Sequence, residues 1–252
     1  MSGSVVLETS GSLAHVTLEH PEKLNAMSRA MWHGLRQVFE QLQPDPSLTC
    51  VVLSGRTHFC AGGDIAEYTS FRFEPDSLRN FHENEVWPAL QAILDCDIPI
   101  VAQIAGYCMG AGIEIASCCD IRVAADNARF GAPIAKLGFP MAPREAALIA
   151  TSLGALTARE MLLCAAQFDA HEMQRRGFLN QVVPASELDT ATTAYIDRIL
   201  PLAPQAARLN KQTLRALGCE NFIEKSYQYA SSHEHREGIT AFLEKRAPRF
   251  HP

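Results

Sequence analysis

The middle of the chain contains a stretch whose residue types could carry out chemistry. Gly110 and Gly112 follow the apolar segment 100–104 and precede a segment of small apolar residues, a pattern typical of a strand-to-helix turn. Glycines let a ligand approach the backbone closely, and the free N–H groups at a helix start favour negative charge. Glu114, three residues after Ala111, would place a carboxylate beside these donors. The alternative is a tight turn before a buried helix, with Glu114 as a local cap.

Another glycine-rich turn, which comes first in chain order, follows the apolar segment 50–54, at Gly62 and Gly63. If the two turns converge, each can offer one backbone N–H to the same carbonyl oxygen, and together they would form an oxyanion hole. Such donors lie about 3 Å from the developing oxyanion, and losing one costs roughly 10²–10³ in rate. The turn at Gly110 and Gly112 lacks the third glycine of a dinucleotide-binding fingerprint and the Gly-Lys-Ser/Thr of a P-loop, which argues against those two kinds of site.

The order of predicted elements favours an α/β protein. Strand signals alternate with helical segments up to about residue 131, a pattern typical of a core with parallel strands. Ser28 is the predicted cap of the first helix, and residues 78–94 are predicted to form a long helix. The stretch 68–75 between them is predicted to be irregular.

Helices predominate after Pro140, and Thr157 to Glu160 reads as a capping box. Helices are also predicted over 221–230 and 234–245. Because no strand is predicted near the C-terminus, we expect a core of residues 1–195 and a helical C-terminal region of residues 196–252.

Composition restricts the class of protein. The 252 residues are 47% hydrophobic and 20% charged, with a formal net charge of -6, which argues against a nucleic-acid binder. No apolar run of about 18 residues predicts a membrane span, and the first residues do not resemble a secretory signal. The eight cysteines have no CxxC spacing, so we expect buried thiols in a reducing, cytoplasmic compartment and no metal site.

Five motifs in order give a specific resemblance. They are HPEKLNAM at 20–27, FCAGGDI at 59–65, GYCMGAGIE at 106–114, CDI at 119–121 and REGITAFLEKR at 236–246. Together they resemble the enoyl-CoA hydratase/isomerase family, the crotonases, over essentially the whole chain. The resemblance implies a ββα spiral core with a C-terminal helical trimerisation region, and hence a homotrimer or a hexamer built as a dimer of trimers. It also implies an acyl-CoA thioester substrate, with coenzyme A as part of that substrate and no separate cofactor.

The resemblance also implies roles for individual residues. Gly63 and Ala111 match the oxyanion donors, and Ala111, which stands where the family usually has glycine, keeps the required N–H. Glu114 matches the first of the two catalytic glutamates of the hydratases. The remaining residues matching substrate and CoA contacts are Lys23, Leu24, Asn25, Ala26, Ala61, Asp64, Ile65, Gly110, Ile134 and Met141.

The sequence departs from the hydratase pattern at two of these positions. Ile134 stands where the second glutamate belongs, and Met141 replaces a glycine that helps hold the water in hydratases. One acid/base group contributes about 10²–10⁴ in rate, and hydration uses two proton-transfer roles. An enolate reaction with Glu114 as acid/base, such as double-bond migration, is therefore easier to support than hydration.

Three alternatives stay open at this point: a decarboxylase, a thioester hydrolase, or a catalytically weak acyl-CoA-binding relative. Candidates for a replacement acid are Glu67, His82 and Glu85, although a solvent-exposed helix or loop position is the ordinary expectation for each. Tyr68, Phe71 and Phe73 could line the acyl pocket, or belong to the ordinary core.

Overall fold

Two β-sheets organise the computed structural model, which describes residues 3–216 and 227–250. Within those residues, the larger sheet has six strands in the spatial order β1 (Ser4–Ser10), β2 (Leu13–Glu19), β3 (Cys50–Gly55), β4 (Ile100–Ile104), β6 (Ile121–Ala125) and β9 (Gln181–Val183). The smaller sheet has the order β5 (Tyr107–Met109), β7 (Arg129–Gly131) and β8 (Gln167–Asp169). β1 and β2 form an antiparallel hairpin, and all other neighbours in the larger sheet are parallel. The predicted α/β class is confirmed.

Helices connect the strands. The α-helices of the described residues are α1 (Arg29–Leu42), α2 (Pro75–Phe81), α3 (Trp87–Asp95), α4 (Ala111–Ser117), α5 (Pro143–Leu153), α6 (Ala155–Leu163), α7 (Ala170–Arg175), α8 (Leu188–Ile199), α9 (Pro204–Arg215) and α10 (His233–Leu243). The predicted cap of α1 is confirmed, because the Ser28 hydroxyl accepts a hydrogen bond from the amide of Met31 at 3.2 Å. Met31, Leu35 and Phe39 form the buried face of that helix.

The larger sheet carries apolar side chains on both faces. Along β3, Val51 and Leu53 belong to the main core, whereas Cys50 and Val52 belong to a second cluster on the opposite side. This alternation follows from the two-residue period of a strand. α8 covers the second cluster with Leu188 and other apolar residues, so the sheet is buried on both faces, as parallel sheets usually are.

Two strands were not predicted. β5 lies inside the stretch that the sequence indicated as a turn, and β8 lies before α7. Each has three residues, and each forms only because it pairs with β7, which is distant along the chain. Such short non-local pairings leave no periodic signal in the local sequence.

The connection between β3 and β4 also differs from the prediction. Residues 68–75 are not uniformly irregular, because a 3₁₀ helix spans Ile65–Ser70 and α2 begins at Pro75. The predicted helix 78–94 is present, but a wide π-helical turn at His82–Val86 separates α2 from α3. The capping-box prediction at Thr157 is wrong, since α6 already begins at Ala155 and Thr157 is buried inside it.

The predicted division at residue 196 falls within α8, which packs on the larger sheet. The helices that follow are α9 and α10, and the division into two regions stays a prediction. Most of the helix predicted over 221–230 lies outside the described residues, and Gln228–Ser231 forms a short 3₁₀ helix. Within the described residues, no helix has the length and apolarity needed to cross a membrane.

Candidate active site

The first glycine-rich turn in chain order, at Gly62 and Gly63, is held by hydrogen bonds on both sides of Gly63. The Met27 amide donates to the Gly62 carbonyl at 2.8 Å, and the Asp64 amide donates to the Met27 carbonyl, also at 2.8 Å. Gly62 has a φ of 118°, which side-chain-bearing residues rarely adopt. Within the described part of the chain, the Gly63 N–H between these bonds has no acceptor. It is therefore available to a ligand.

The second turn leaves a comparable donor at Ala111. Gly110 precedes α4 with a φ of 48°, and its amide donates to the Gly131 carbonyl at 2.8 Å. Ala111 is the first residue of α4, where N–H groups have no partner inside the helix. No acceptor among the described residues bonds to the Ala111 amide.

The two turns contact each other. The Cys60 amide donates to the Tyr107 carbonyl, and the Met109 amide donates to the Cys60 carbonyl, each at 2.8 Å. A Cβ atom added to Gly110 would lie only 3.6 Å from the Cα of Gly62, so the two glycines lie close together. The two unpaired amides consequently border one cavity.

Glu114 lies one turn into α4 and is 8% exposed. Within the described residues, its carboxyl group has no hydrogen-bond or ion-pair partner, although it lines the cavity. Burial, which has the larger effect, and the negative charge of Glu145 together raise the pKa of Glu114 to about 8. The site thus pairs two free amides with a carboxyl group that exchanges its proton near neutral pH.

The cavity has a volume of about 280 Å³ and a mainly apolar lining. It brings together eight of the predicted site residues: Ala61, Gly63, Ile65, Gly110, Ala111, Glu114, Ile134 and Met141. Of the three aromatic candidates, Tyr68 lines the cavity, Phe71 packs in the core against Phe81, and Phe73 is 78% exposed. That Tyr68 contacts the acyl group stays a prediction.

The other five predicted site residues lie in or next to the neighbouring loop rather than along the cavity. Asn25 accepts a hydrogen bond from the His20 amide and donates one to the His58 carbonyl, so its side chain holds the loop together. Lys23 pairs with Asp64 at 2.6 Å, and the Leu24 carbonyl accepts from the Ala61 amide. These bonds join the loop, which also includes the buried Ala26, to the first glycine turn. Their assignment to the CoA moiety stays a prediction.

Sequence reasoning missed several lining residues. They are Trp32, Arg72, Phe81, Val86, Met109, Leu137, Phe139 and their neighbours. Phe81 and Val86 reach the cavity from the two ends of the π-helical turn, a spacing that an ordinary helical pattern does not indicate. The helical periodicity of segment 78–94 could have singled out one face, but not the displacement that this turn introduces.

Of the three candidates for a replacement acid, one lines the cavity and two do not. Glu85 is buried but paired with Arg29, and Glu67 accepts a hydrogen bond from the Arg29 amide at 2.7 Å; neither lines the cavity. His82 does line it, and its Nδ1 atom lies 3.0 Å from Oε1 of Glu145.

Comparison with known proteins identifies the family of this chain. The family model described as enoyl-CoA hydratase/isomerase matches residues 8–252. The short-chain-enoyl-CoA hydratase of Clostridium acetobutylicum is 30% identical, with 96% of this chain and 95% of that protein covered. The carnitinyl-CoA dehydratase of Proteus mirabilis is 32% identical, with 98% of each covered.

A solved structure shows the same architecture. The crystal structure of an enoyl-CoA hydratase/carnithine racemase from Magnetospirillum magneticum superposes with a TM-score of 0.95 at 33% identity, covering 100% of this chain and 96% of that one. The predicted crotonase-type fold is confirmed. This chain is an enzyme that belongs to the enoyl-CoA hydratase/isomerase family.

Proposed function

We propose that the protein binds an acyl-CoA thioester in this cavity and stabilises its enolate with the amides of Gly63 and Ala111. Glu114 moves a proton to or from the α-carbon of the acyl group. One observation carries the proposal: two main-chain amides without internal acceptors and an unpaired carboxyl group border the same apolar cavity.

The energetics suit this chemistry. Two preorganised amides act on charge that appears only in the transition state, and each contributes roughly 10²–10³ in rate. A positioned acid/base group adds about 10²–10⁴, most effectively when its pKa lies near the working pH. The pKa of about 8 for Glu114 meets that condition.

The acyl group occupies the apolar cavity, and coenzyme A enters as part of the substrate. The lining favours an uncharged acyl chain, because apolar side chains and aromatic rings such as Trp32 and Phe139 form most of its surface. The reaction is of the enoyl-CoA hydratase/isomerase type, either hydration of the double bond or its migration. The loop residues from Lys23 to Ala26, together with Asp64, contact the CoA moiety near the first glycine turn.

One observation favours a second candidate function. Arg72 lines the cavity between the rings of Tyr68 and Phe139, and no carboxylate of a described residue pairs with it. A guanidinium in this position suits an acyl group with its own carboxylate. Decarboxylation of a malonyl-type CoA ester would use the same two amides for its enolate.

We also propose that the protein is a homotrimer, or a dimer of trimers, and works in the cytoplasm. α10 exposes Ile239, Phe242 and Leu243 to solvent in the single chain, and contact with another copy would cover them. The seven cysteines that the structure describes are free thiols, which suits a reducing compartment. Light scattering coupled to size-exclusion chromatography tests the assembly, and a monomer would contradict it.

Parallel assays test the reaction. The protein is given crotonyl-CoA, a 3-enoyl-CoA and a malonyl-type CoA ester, and Glu114→Gln is measured beside it. We expect turnover of an enoyl ester, loss of that turnover in Glu114→Gln, and acyl-CoA binding within a few fold of the unchanged protein. Unchanged turnover in the variant would remove Glu114 from the mechanism. A catalytically silent binding protein would be thermally stabilised by acyl-CoA but would turn over none of the esters.

A further inference from the structure

His82 is a further titratable side chain on the cavity that Glu114, Tyr68 and Arg72 also line. It comes from the helical connection between β3 and β4, whereas Glu114 comes from α4. The cavity is otherwise mainly apolar, so each of these groups meets few competing partners. Two proton-transfer groups from different elements therefore border the space that the acyl group would occupy.

A buried carboxylate holds the imidazole in place. Oε1 of Glu145 lies 3.0 Å from Nδ1 of His82, and Glu145 is only 2% exposed. Among the described residues, Glu145 has no other side-chain hydrogen-bond partner, and no protein atom bonds to Nε2 of His82. Occupation of Nδ1 by a carboxylate fixes the ring and leaves Nε2 as the nitrogen that can accept a proton.

The backbone at His82 forms a π-helical turn. The Trp87 amide donates to the His82 carbonyl, one residue further back than in an α-helix, and Pro88 has no N–H with which to continue the usual ladder. Phe81 packs edge-on against the imidazole with ring centroids 5.2 Å apart. Glu145, which bonds to the ring, lies in the first turn of α5.

The residue at position 134 explains why the site needs another proton-transfer group for hydration. The side chain at that position lines the cavity and cannot transfer a proton, although the hydratase pattern places an acid there. We propose that His82, oriented by Glu145, is the second acid/base group of the site, so that the enzyme hydrates 2-enoyl thioesters. The inference rests on the proposed function, because it uses the same amides and Glu114.

The reaction balances with these groups alone. Nε2 of His82 removes a proton from water while the water oxygen bonds to the β-carbon, and the electrons of the double bond move to the thioester oxygen. The protonated Glu114 then gives its proton to the α-carbon, and the thioester carbonyl re-forms. His82 returns its proton to Glu114, and the net change is the addition of one water molecule.

Glu145 is a positioning residue in this account, and the raised pKa of Glu114 supports the assigned roles. A carboxyl group with a pKa of about 8 is mostly protonated at neutral pH, as a proton donor to the α-carbon has to be. The charge of Glu145 contributes to that effect while it also orients His82.

The test separates hydration from enolate formation. Hydration is measured on 2-enoyl-CoA esters of four to ten carbons. Exchange of the α-proton is measured on butanoyl-CoA in D₂O. This exchange needs the amides and Glu114, but no water molecule is added to the substrate. His82→Asn keeps a donor that can bond to Glu145 and removes Nε2. We expect it to lose about 10²-fold or more in kcat for hydration while α-proton exchange stays within a few fold. Glu114→Gln should lose both.

His33 provides a matched control. Its Nε2 atom lies 3.5 Å from the buried Glu85, yet it does not line the cavity, so His33→Asn should leave both rates unchanged. Glu145→Gln should lower kcat for hydration more than it changes KM. Thermal unfolding and CoA-ester binding, measured for each variant, establish that it is folded.

The outcomes are distinguishable. Hydration by His82→Asn within about threefold of the unchanged protein would overturn the assignment of His82, as would an equal loss of hydration and exchange. Exchange without hydration of any ester by the unchanged protein would also overturn it while leaving the proposed enolate chemistry intact. Absence of both activities in the unchanged protein would contradict the proposed function itself.

Discussion

The hydroxyl group of Tyr68 lies against Gly63, one of the two residues with a free amide. A Cβ atom built on Gly63 would stand 2.1 Å from that hydroxyl and 3.1 Å from the ring carbon that carries it. A side chain added at Gly63 would therefore collide with Tyr68 unless that ring shifts.

Gly63→Ala should consequently displace either Tyr68 or the glycine turn. A shift of about 1 Å at an oxyanion donor is expected to cost on the order of 10² in kcat/KM. The double variant Gly63→Ala with Tyr68→Phe removes the closest contact, and we expect it to recover part of the loss.

The control for this change is Gly34→Ala on α1, where an added Cβ meets only Val5 at 3.6 Å. Its activity should not change. If Gly63→Ala retains full kcat/KM, the close packing around the amide has no functional consequence.

The stability of the protein should depend on Glu114 between about pH 4.5 and 8. The pKa of this carboxyl group rises from about 4.5 to about 8 on folding, so the unfolded chain ionises first and stability falls as pH rises through this window. Glu114→Gln has no carboxyl group at this position, so it should not lose stability in this way as pH rises. Its melting temperature should exceed that of the unchanged protein by a difference that grows from pH 5 to 8 and then levels off.

Each kcal/mol of this difference corresponds to roughly 2–4 °C for a chain of this size. Differential scanning calorimetry at several pH values measures it. A difference in melting temperature that is constant from pH 5 to 9 would mean that Glu114 has an ordinary pKa in the folded protein.

The pH dependence of hydration should report the same group. Activity needs the protonated form of Glu114, so kcat/KM should fall above about pH 8. The titratable groups coupled to Glu114 are Glu145, Tyr68, Cys60 and Cys118. Of these, Glu145 is the one whose charge raises the pKa of Glu114.

Glu145→Gln should therefore move the alkaline limb of the profile to lower pH, since removing a negative charge lowers the pKa of Glu114. A purely structural role for Glu145 would lower activity equally at every pH. An alkaline limb that stays in place would show that the charge of Glu145 does not reach Glu114.

Much of the site could be predicted from sequence because its parts are local. The two glycine turns, Glu114 and the serine cap of α1 each depend on a few neighbouring residues, and each was predicted at the correct position. The pairing of His82 with Glu145 spans 63 residues of sequence. It depends on a π-helical turn and on how α5 packs, and neither leaves a local pattern. The three-residue strands β5 and β8 escaped prediction for the same reason.

Ala111→Pro tests the second donor selectively. Proline is tolerated at the first position of a helix, where its missing N–H has no helical partner. We expect kcat/KM to fall by about 10²–10³ with a melting temperature close to that of the unchanged protein. Ala155 is the first residue of α6 and, like Ala111, follows a glycine with a positive φ (Gly154, 81°), so Ala155→Pro is the matched control and should remain active. Full activity of Ala111→Pro would exclude the Ala111 amide as an oxyanion donor.

The infrared spectrum of a bound thioester tests the central claim most directly. Crotonyl-CoA labelled with ¹³C at the carbonyl is bound to Glu114→Gln, so that no reaction proceeds, and the labelled C=O stretch is compared with that of the free ester in water. Two converging amides should polarise the carbonyl and lower its stretching frequency clearly, and Ala111→Pro in the same background should reverse part of that shift. A bound carbonyl that absorbs at the frequency of the free ester would contradict the oxyanion hole formed by Gly63 and Ala111.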